Sequence, residues 1–204
     1  MIDYSKTIVA LDNFSVSMTE ELIDTLGHQV YGFKMNHTLF PYIGGGGYNI
    51  FCDYKLFDIP NTMCKIVEKA IDQQADMITI SMLNSRKAIE SLSQYADHIK
   101  LLGVTYLTSW DIGDVFEICG TSPSVAYMRA MAIMEDNGFY GMICSAQDIP
   151  TLRQSKLKKI TPGIRLGSDT NDDQVRVMTP EKAIENGADY LVMGRSFFNY
   201  AKNI

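Results

Sequence analysis

Cysteine and histidine are scarce in this chain of 204 residues, with four of the first and three of the second. Cys52, Cys64, Cys119 and Cys144 show no C-x-x-C spacing, and each lies in or beside an apolar segment. They read as buried free thiols. His28, His37 and His98 are scattered without a zinc-like spacing, so neither a metal nor a cofactor is expected. Long hydrophobic runs are missing too. No stretch approaches a membrane-spanning length, and Met1-Ile2-Asp3-Tyr4-Ser5-Lys6 lacks the apolar core of a signal peptide. A cytoplasmic protein with no membrane partner fits these absences. Positive charge is also in deficit: 18 Lys and Arg against 24 Asp and Glu leave a net charge of -6. That is the wrong balance for a general nucleic-acid binder, which carries a basic field. An anionic small substrate stays possible, because it responds to a local cluster rather than to the total.

What is present is ordinary for a globular protein, with 46% hydrophobic and 21% charged residues. Short apolar runs alternate with longer amphipathic stretches, the pattern of repeated βα units. Candidate strands are Thr7–Leu11, Tyr31–Met35, Tyr48–Tyr54, Met77–Ser81, Ile99–Tyr106, Gly141–Ser145, Lys159–Thr161 and Tyr190–Met193. Candidate helices are Ser17–Gly27, Asn61–Gln74, Arg86–Ala96, Pro123–Asn137, Ile149–Ser155 and Thr179–Asn186. Eight strands suit a closed α/β barrel, the (β/α)8 TIM barrel, and nothing along residues 1–204 marks a second domain. The chain sits at the lower size limit for that fold, so some units must be trimmed. The second βα unit is expected to be shortened, since Lys34 and the third strand are too close for a regular helix with two loops. Gly44-Gly45-Gly46-Gly47 in that stretch enters a strand rather than opening a helix, which argues against a phosphate cradle. A short C-terminus, with a brief terminal helix at most, is expected after the last strand.

The chemistry concentrates in Asp53-Tyr54-Lys55-Leu56-Phe57-Asp58-Ile59-Pro60-Asn61-Thr62. Side chains on a strand alternate faces, so Asp53 and Lys55 point the same way, with Phe51 beneath them. Solvated charges at a strand end are common. Here, however, Asp58 follows and Pro60-Asn61 opens a helix, which puts the charges where barrel enzymes keep their chemistry.

This decapeptide resembles the D-x-K-x-x-D-I-P-N-T signature of the orotidine 5'-phosphate decarboxylase family. Further blocks agree with it: Thr161-Pro162-Gly163-Ile164-Arg165, Asp172-Asp173-Gln174-Val175-Arg176-Val177-Met178-Thr179-Pro180, and Gly187-Ala188-Asp189-Tyr190-Leu191-Val192-Met193-Gly194-Arg195-Ser196. Ala10-Leu11-Asp12 and Gly32-Phe33-Lys34 complete a match spanning nearly the whole chain.

The resemblance implies a cofactor-free carboxy-lyase that converts orotidine 5'-phosphate to UMP and CO2 in pyrimidine biosynthesis. Its catalytic tetrad would be Lys34, Asp53, Lys55 and Asp58, an alternating set in which opposite charges keep one another ionised. The family draws its second aspartate from the neighbouring subunit, so Asp58 and Thr62 would act across a homodimer interface. Asp12 would bind ribose hydroxyls, although alone it would read as a helix cap. Thr108 and Ser109 would contact the pyrimidine. Arg165, Gln174, Gly194 and Arg195 match the phosphate site, where arginine's planar fork suits the ligand. Ile59, Pro60, Asn61 and Pro162 are carried as substrate-binding with their motifs. Arg86 and Arg176 have no such match and read as surface charges.

The chain departs from the family at Ile80-Ser81-Met82-Leu83, where members often carry a histidine, and at Met35-Asn36 after Lys34. Two alternatives stay open. One is a sugar-phosphate decarboxylase or aldolase of the wider superfamily, commonly metal-assisted; Lys34 argues against its gulonate-phosphate branch. The other is a barrel that binds nucleotides without catalysis.

Overall fold

A computed structural model describes residues 2–12, 14–36, 47–166 and 176–201. The first elements are β1 (Thr7–Ala10), α1 (Val16–Leu26), β2 (Gly32–Met35), β3 (Asn49–Leu56) and α2 (Pro60–Asp72). Next come β4 (Met77–Ser81), α3 (Arg86–Glu90), β5 (Lys100–Val104), α4 (Ile112–Cys119) and α5 (Pro123–Asp136). The last are β6 (Gly141–Ile143), β7 (Lys158–Thr161), α6 (Pro180–Asn186), β8 (Tyr190–Met193) and α7 (Arg195–Ala201). Each strand pairs in parallel with the next, and β8 pairs with β1 to close the barrel. The expected (β/α)8 fold is therefore the fold observed. The β2–β3 connection, where a shortened unit was expected, lies largely outside the described residues, as do Gly44, Gly45, Gly46 and His37.

Alternation along the strands sorts side chains into two apolar layers. Ile8, Phe51, Met77, Leu102, Ile160 and Val192 form one buried cluster inside the barrel. Residues one step away, such as Val9, Phe33, Ile50, Cys52, Ile78 and Leu101, belong to the larger cluster between the sheet and its helices. Register fixes this division: Lys34 lies beside Phe51, and Phe51 beside Met77, so all three face inward together. Gly103 shows how closely the outer layer packs. A Cβ there would sit 2.4 Å from the Met134 methyl of α5, so any side chain at this position would have to displace that methionine.

The helices begin where local chemistry satisfies their first amides. Ser15, Ser85 and Thr179 cap α1, α3 and α6 with side-chain acceptors, while Pro60, Pro123 and Pro180 occupy tolerated first-turn positions. On α2 the buried residues Met63, Val67 and Ala70 recur at helical spacing and face the sheet. Three expectations change. The helix expected over Arg86–Ala96 stops at Glu90, and a 3-10 turn at Ser93–Tyr95 follows. The one expected over Ile149–Ser155 is a 3-10 turn at Ile149–Leu152. Helix α4 was not expected at all, although Asp111 and Asp114 form a capping box and Gly120 closes it in the left-handed conformation.

Candidate active site

A cavity of about 310 Å³ opens at the C-terminal ends of the strands. Its wall takes Ala10 from β1, Lys34 from β2, Phe51, Asp53 and Lys55 from β3, Val104 from β5, Ile143 from β6 and Val192 from β8. These are inward-facing positions, of which Phe51 and Val192 also belong to the apolar cluster inside the barrel, and they lie where this fold builds sites. The cavity also gathers Asp12, Thr108, Ser109, Pro162, Arg165, Gly194 and Arg195 from the loops that follow the strands. Phe14 and Tyr106, which the sequence did not single out, line it as well.

Charges alternate across one wall. Lys34 Nζ bonds Asp12 Oδ2 and lies 3.0 Å from Asp53 Oδ2. Lys55 Nζ lies 2.8 Å from Asp53 Oδ1. The run is therefore Asp12–Lys34–Asp53–Lys55. Burial pushes the Asp53 carboxyl up, but the ammonium groups of Lys34 and Lys55 outweigh it and hold the group below the usual carboxylate range. Burial likewise pushes Lys34 down, and Asp53 and Asp12 reverse it, leaving its ammonium raised. Lys34 and Asp53 thus favour each other's charged form. Asp12 Oδ1 is buried and has no hydrogen-bond partner among the described residues, so an acceptor is left over at the cavity's edge.

Lys55 and Asp53 converge through an irregularity in the sheet. Pairing between β3 and β4 shifts between Cys52 and Leu56, and Lys55 has φ of 48°, a left-handed conformation uncommon outside glycine. Its amide donates to Thr79 Oγ1 at 2.8 Å. Thr79 was missed from the sequence; its only signal is a hydroxyl at an inward position of an apolar strand.

The opposite end is basic. Gly194 follows β8 and Arg195 starts α7, with Arg165 after the neighbouring strand β7. A Cβ on Gly194 would meet Ala10 at 3.8 Å, an ordinary contact. The fold does not demand glycine there; what its absence of a side chain leaves open is approach from the cavity.

Arg176 corrects an expectation. It is not a surface charge: its side chain is 20% exposed, and Nη1 bonds both carboxylate oxygens of Asp148, at 3.0 and 2.8 Å. Nε donates to the Thr108 carbonyl at 3.3 Å, and the guanidinium lies 5.9 Å from the Tyr106 ring centre. Arg86 is exposed, as expected.

Residues 5–203 match the family model described as "Orotidine 5'-phosphate decarboxylase / HUMPS family". The chain belongs to this family. The orotidine 5'-phosphate decarboxylase of Dictyoglomus thermophilum is 35% identical over 219 residues, covering 96% of this chain and 89% of the relative. That of Opitutus terrae is 40% identical over 160 residues, 74% of this chain and 70% of the relative. The crystal structure of orotidine 5'-phosphate decarboxylase from Lactobacillus acidophilus aligns with a TM-score of 0.76 at 26% identity, covering 94% of this chain and 90% of that one.

Not every residue carried over from the orotidine 5'-phosphate decarboxylase resemblance reaches the cavity. Asp58 is exposed, and its carboxylate accepts from the Ile59 amide rather than from a lysine. Ile59, Pro60, Asn61 and Thr62 run from there into α2, away from the cavity lining. Gln174 lies outside the described residues. Lys34, Asp53 and Lys55 therefore meet within one chain, joined by Asp12, while Asp58 stands apart from them.

Proposed function

We propose that this chain decarboxylates orotidine 5'-phosphate to UMP and CO2, a step in making pyrimidine nucleotides. The observation that carries the reading is the Asp12–Lys34–Asp53–Lys55 run in the barrel's cavity, in a chain of this family. Losing CO2 from C6 leaves the bonding electron pair on a ring carbon with no easy sink. The Lys55 ammonium faces that carbon, stabilises the developing charge, and then gives it a proton. Asp53 lies against the substrate carboxylate and keeps Lys55 aimed. Asp12, a carboxylate in the cavity lining, suits a ribose hydroxyl. Thr108 and Ser109 offer hydroxyls to the pyrimidine. Arg165, Arg195 and the open backbone at Gly194 suit the phosphate.

The same reading makes the protein a cytoplasmic homodimer of single-domain chains. Asp58 and Thr62 would then serve the partner's cavity. In support, Phe57, Ile59 and Leu83, which flank Asp58 on neighbouring loops, are 68%, 66% and 42% exposed. Such an apolar group on the active face suits a second copy of the chain. The metal-assisted sugar-phosphate alternative fits less well, because both oxygens of Asp53 already hold ammonium groups.

The test is absorbance. Mixing purified protein with orotidine 5'-phosphate should abolish the orotidylate ultraviolet band, with activity surviving exhaustive chelation. Lys55→Ala should lower turnover by at least about 10²–10³-fold, the scale for one preorganised electrostatic group. UMP should still bind that variant. Near-normal turnover without Lys55 would sink the mechanism.

A further inference from the structure

We infer that Thr79 is a positioning residue for the reaction: its hydroxyl fixes the backbone arch that aims Lys55 at Asp53. The inference rests on the reading that Asp53 and Lys55 perform the chemistry.

The sheet shows why such a residue is needed. Phe51 pairs with Met77 and Cys52 with Ile78, but the next pair is Leu56 with Ile80. Four steps along β3 are thus set against two along β4. The surplus, Asp53 to Lys55, must arch away from its neighbour, and an arch leaves ladder groups without their usual partners. Lys55 pays for its place in the arch with a φ of 48°, where an L side chain is crowded. Strain of this kind persists only where the surroundings hold it.

Thr79 stands opposite the arch, between the two registered pairs, and is fully buried at 0% exposure. Its hydroxyl direction follows from its partners. The Lys55 amide can only donate, so Thr79 Oγ1 accepts from it at 2.8 Å. That leaves the single hydroxyl hydrogen. Asp53 Oδ1 lies 3.1 Å away and is ionised, whereas the competing Cys52 carbonyl is neutral and at 3.5 Å. The carboxylate therefore takes the hydrogen. Lys55 Nζ closes the loop by donating to the same Oδ1 at 2.8 Å. The Lys55 backbone, Thr79, Asp53 and the Lys55 ammonium form a ring of hydrogen bonds that sets where both charged groups point. Thr79 does not line the cavity. It acts through the pair.

Two pairs of variants that differ in little but the hydroxyl test this. Thr79→Val keeps the shape of threonine, while Thr79→Ser and Thr79→Ala compare a hydroxyl with none at small volume. Thr79→Val should lower kcat by about 10–100-fold, the scale for a small misplacement of reacting groups. KM for orotidine 5'-phosphate should change little, and Thr79→Ser should retain most of the turnover. The acid limb of the kcat profile should move to higher pH in Thr79→Val, because Asp53 loses a donor that favours its ionised form. A packing role would lower the melting temperature of Thr79→Val without separating kcat from KM or moving that limb. If Thr79→Val does not fold, the Ser and Ala variants decide: a slow Ala beside a fast Ser supports the inference, and equal kcat overturns it. Turnover in Lys55→Ala would instead sink the underlying reading. An inactive Lys55→Ala beside a Thr79→Val of normal kcat and pH profile would overturn the role of Thr79 alone.

Discussion

Asp53 carries the most strongly determined charge in the cavity. Its two oxygens accept from Lys34, Lys55 and Thr79, and although burial pushes its carboxyl up, the Lys34 and Lys55 ammonium groups hold it below the ordinary range. A depressed folded value means that the stabilisation is fully present above the usual carboxylate range. It is lost as pH falls through Asp53's own lower value. Asp53→Asn removes that stabilisation and leaves two ammonium groups facing a neutral amide. Its melting temperature should fall below wild type most at neutral pH, and the gap should narrow in acid. A gap that stays constant into strong acid would show that Asp53 is not coupled to its lysines. This pair was legible in the sequence because a spacing of two puts Asp53 and Lys55 on one face of a strand. The hydroxyl between them was not, since Thr79 comes 26 residues later and meets Asp53 only through strand pairing. Local pattern reports what shares a face; it does not report what lies across the ladder.

Elements were legible where burial imposed a period and obscure where it did not. The inward and outward alternation of the strands follows from two apolar layers, so all eight could be read. Helix α4 lacks such a stripe: only Val115 is buried, and Ile112, Phe116 and Ile118 are 66%, 52% and 52% exposed. Its ends were nevertheless written in Asp111, Asp114 and Gly120. Arg176 was misread for a related reason, because its partners come from other loops. Through Asp148 after β6 and the Thr108 carbonyl after β5, it joins two loops at the cavity's rim. Its own strand segment bonds a third, with the Met178 amide on the Gly163 carbonyl and the Arg165 amide on the Met178 carbonyl. Arg176→Met should destabilise the fold by about 1–3 kcal/mol, the scale for a charged hydrogen bond lost with its partner left behind. Among the described residues, the Asp148 carboxylate would keep only the Tyr127 hydroxyl at 3.0 Å. Denaturant midpoints measure this directly. A variant as stable as wild type would return Arg176 to the surface role first given it.

At the scale of the whole molecule, one chain builds the barrel and the cavity described here but leaves Asp58 outside its lining. Nothing in a strand or helix period encodes a second chain, and the proposed role of Asp58 in a partner's cavity came from resemblance alone. Exposed Phe57, Ile59 and Leu83 now add a physical reason, since Phe57 and Ile59 flank Asp58 along the chain and Leu83 precedes Asn84, whose side chain accepts from the Asp58 amide. If Asp58 enters the partner's cavity, then Lys55 and Asp58 of one chain serve different sites. Subunits of Lys55→Ala and Asp58→Ala, each inactive alone, can then complement each other. A mixed dimer would hold one cavity with both lesions and one with none. Random exchange makes about half the dimers mixed, each with one good cavity, so about a quarter of wild-type activity should return. Beforehand, Asp58→Ala must be shown to dimerise and to be nearly inactive. If both residues act within a single chain, every cavity keeps one lesion and mixing restores nothing. Exchange demonstrated by labelled subunits, with no activity regained, would place Asp58 in its own subunit's chemistry or in none.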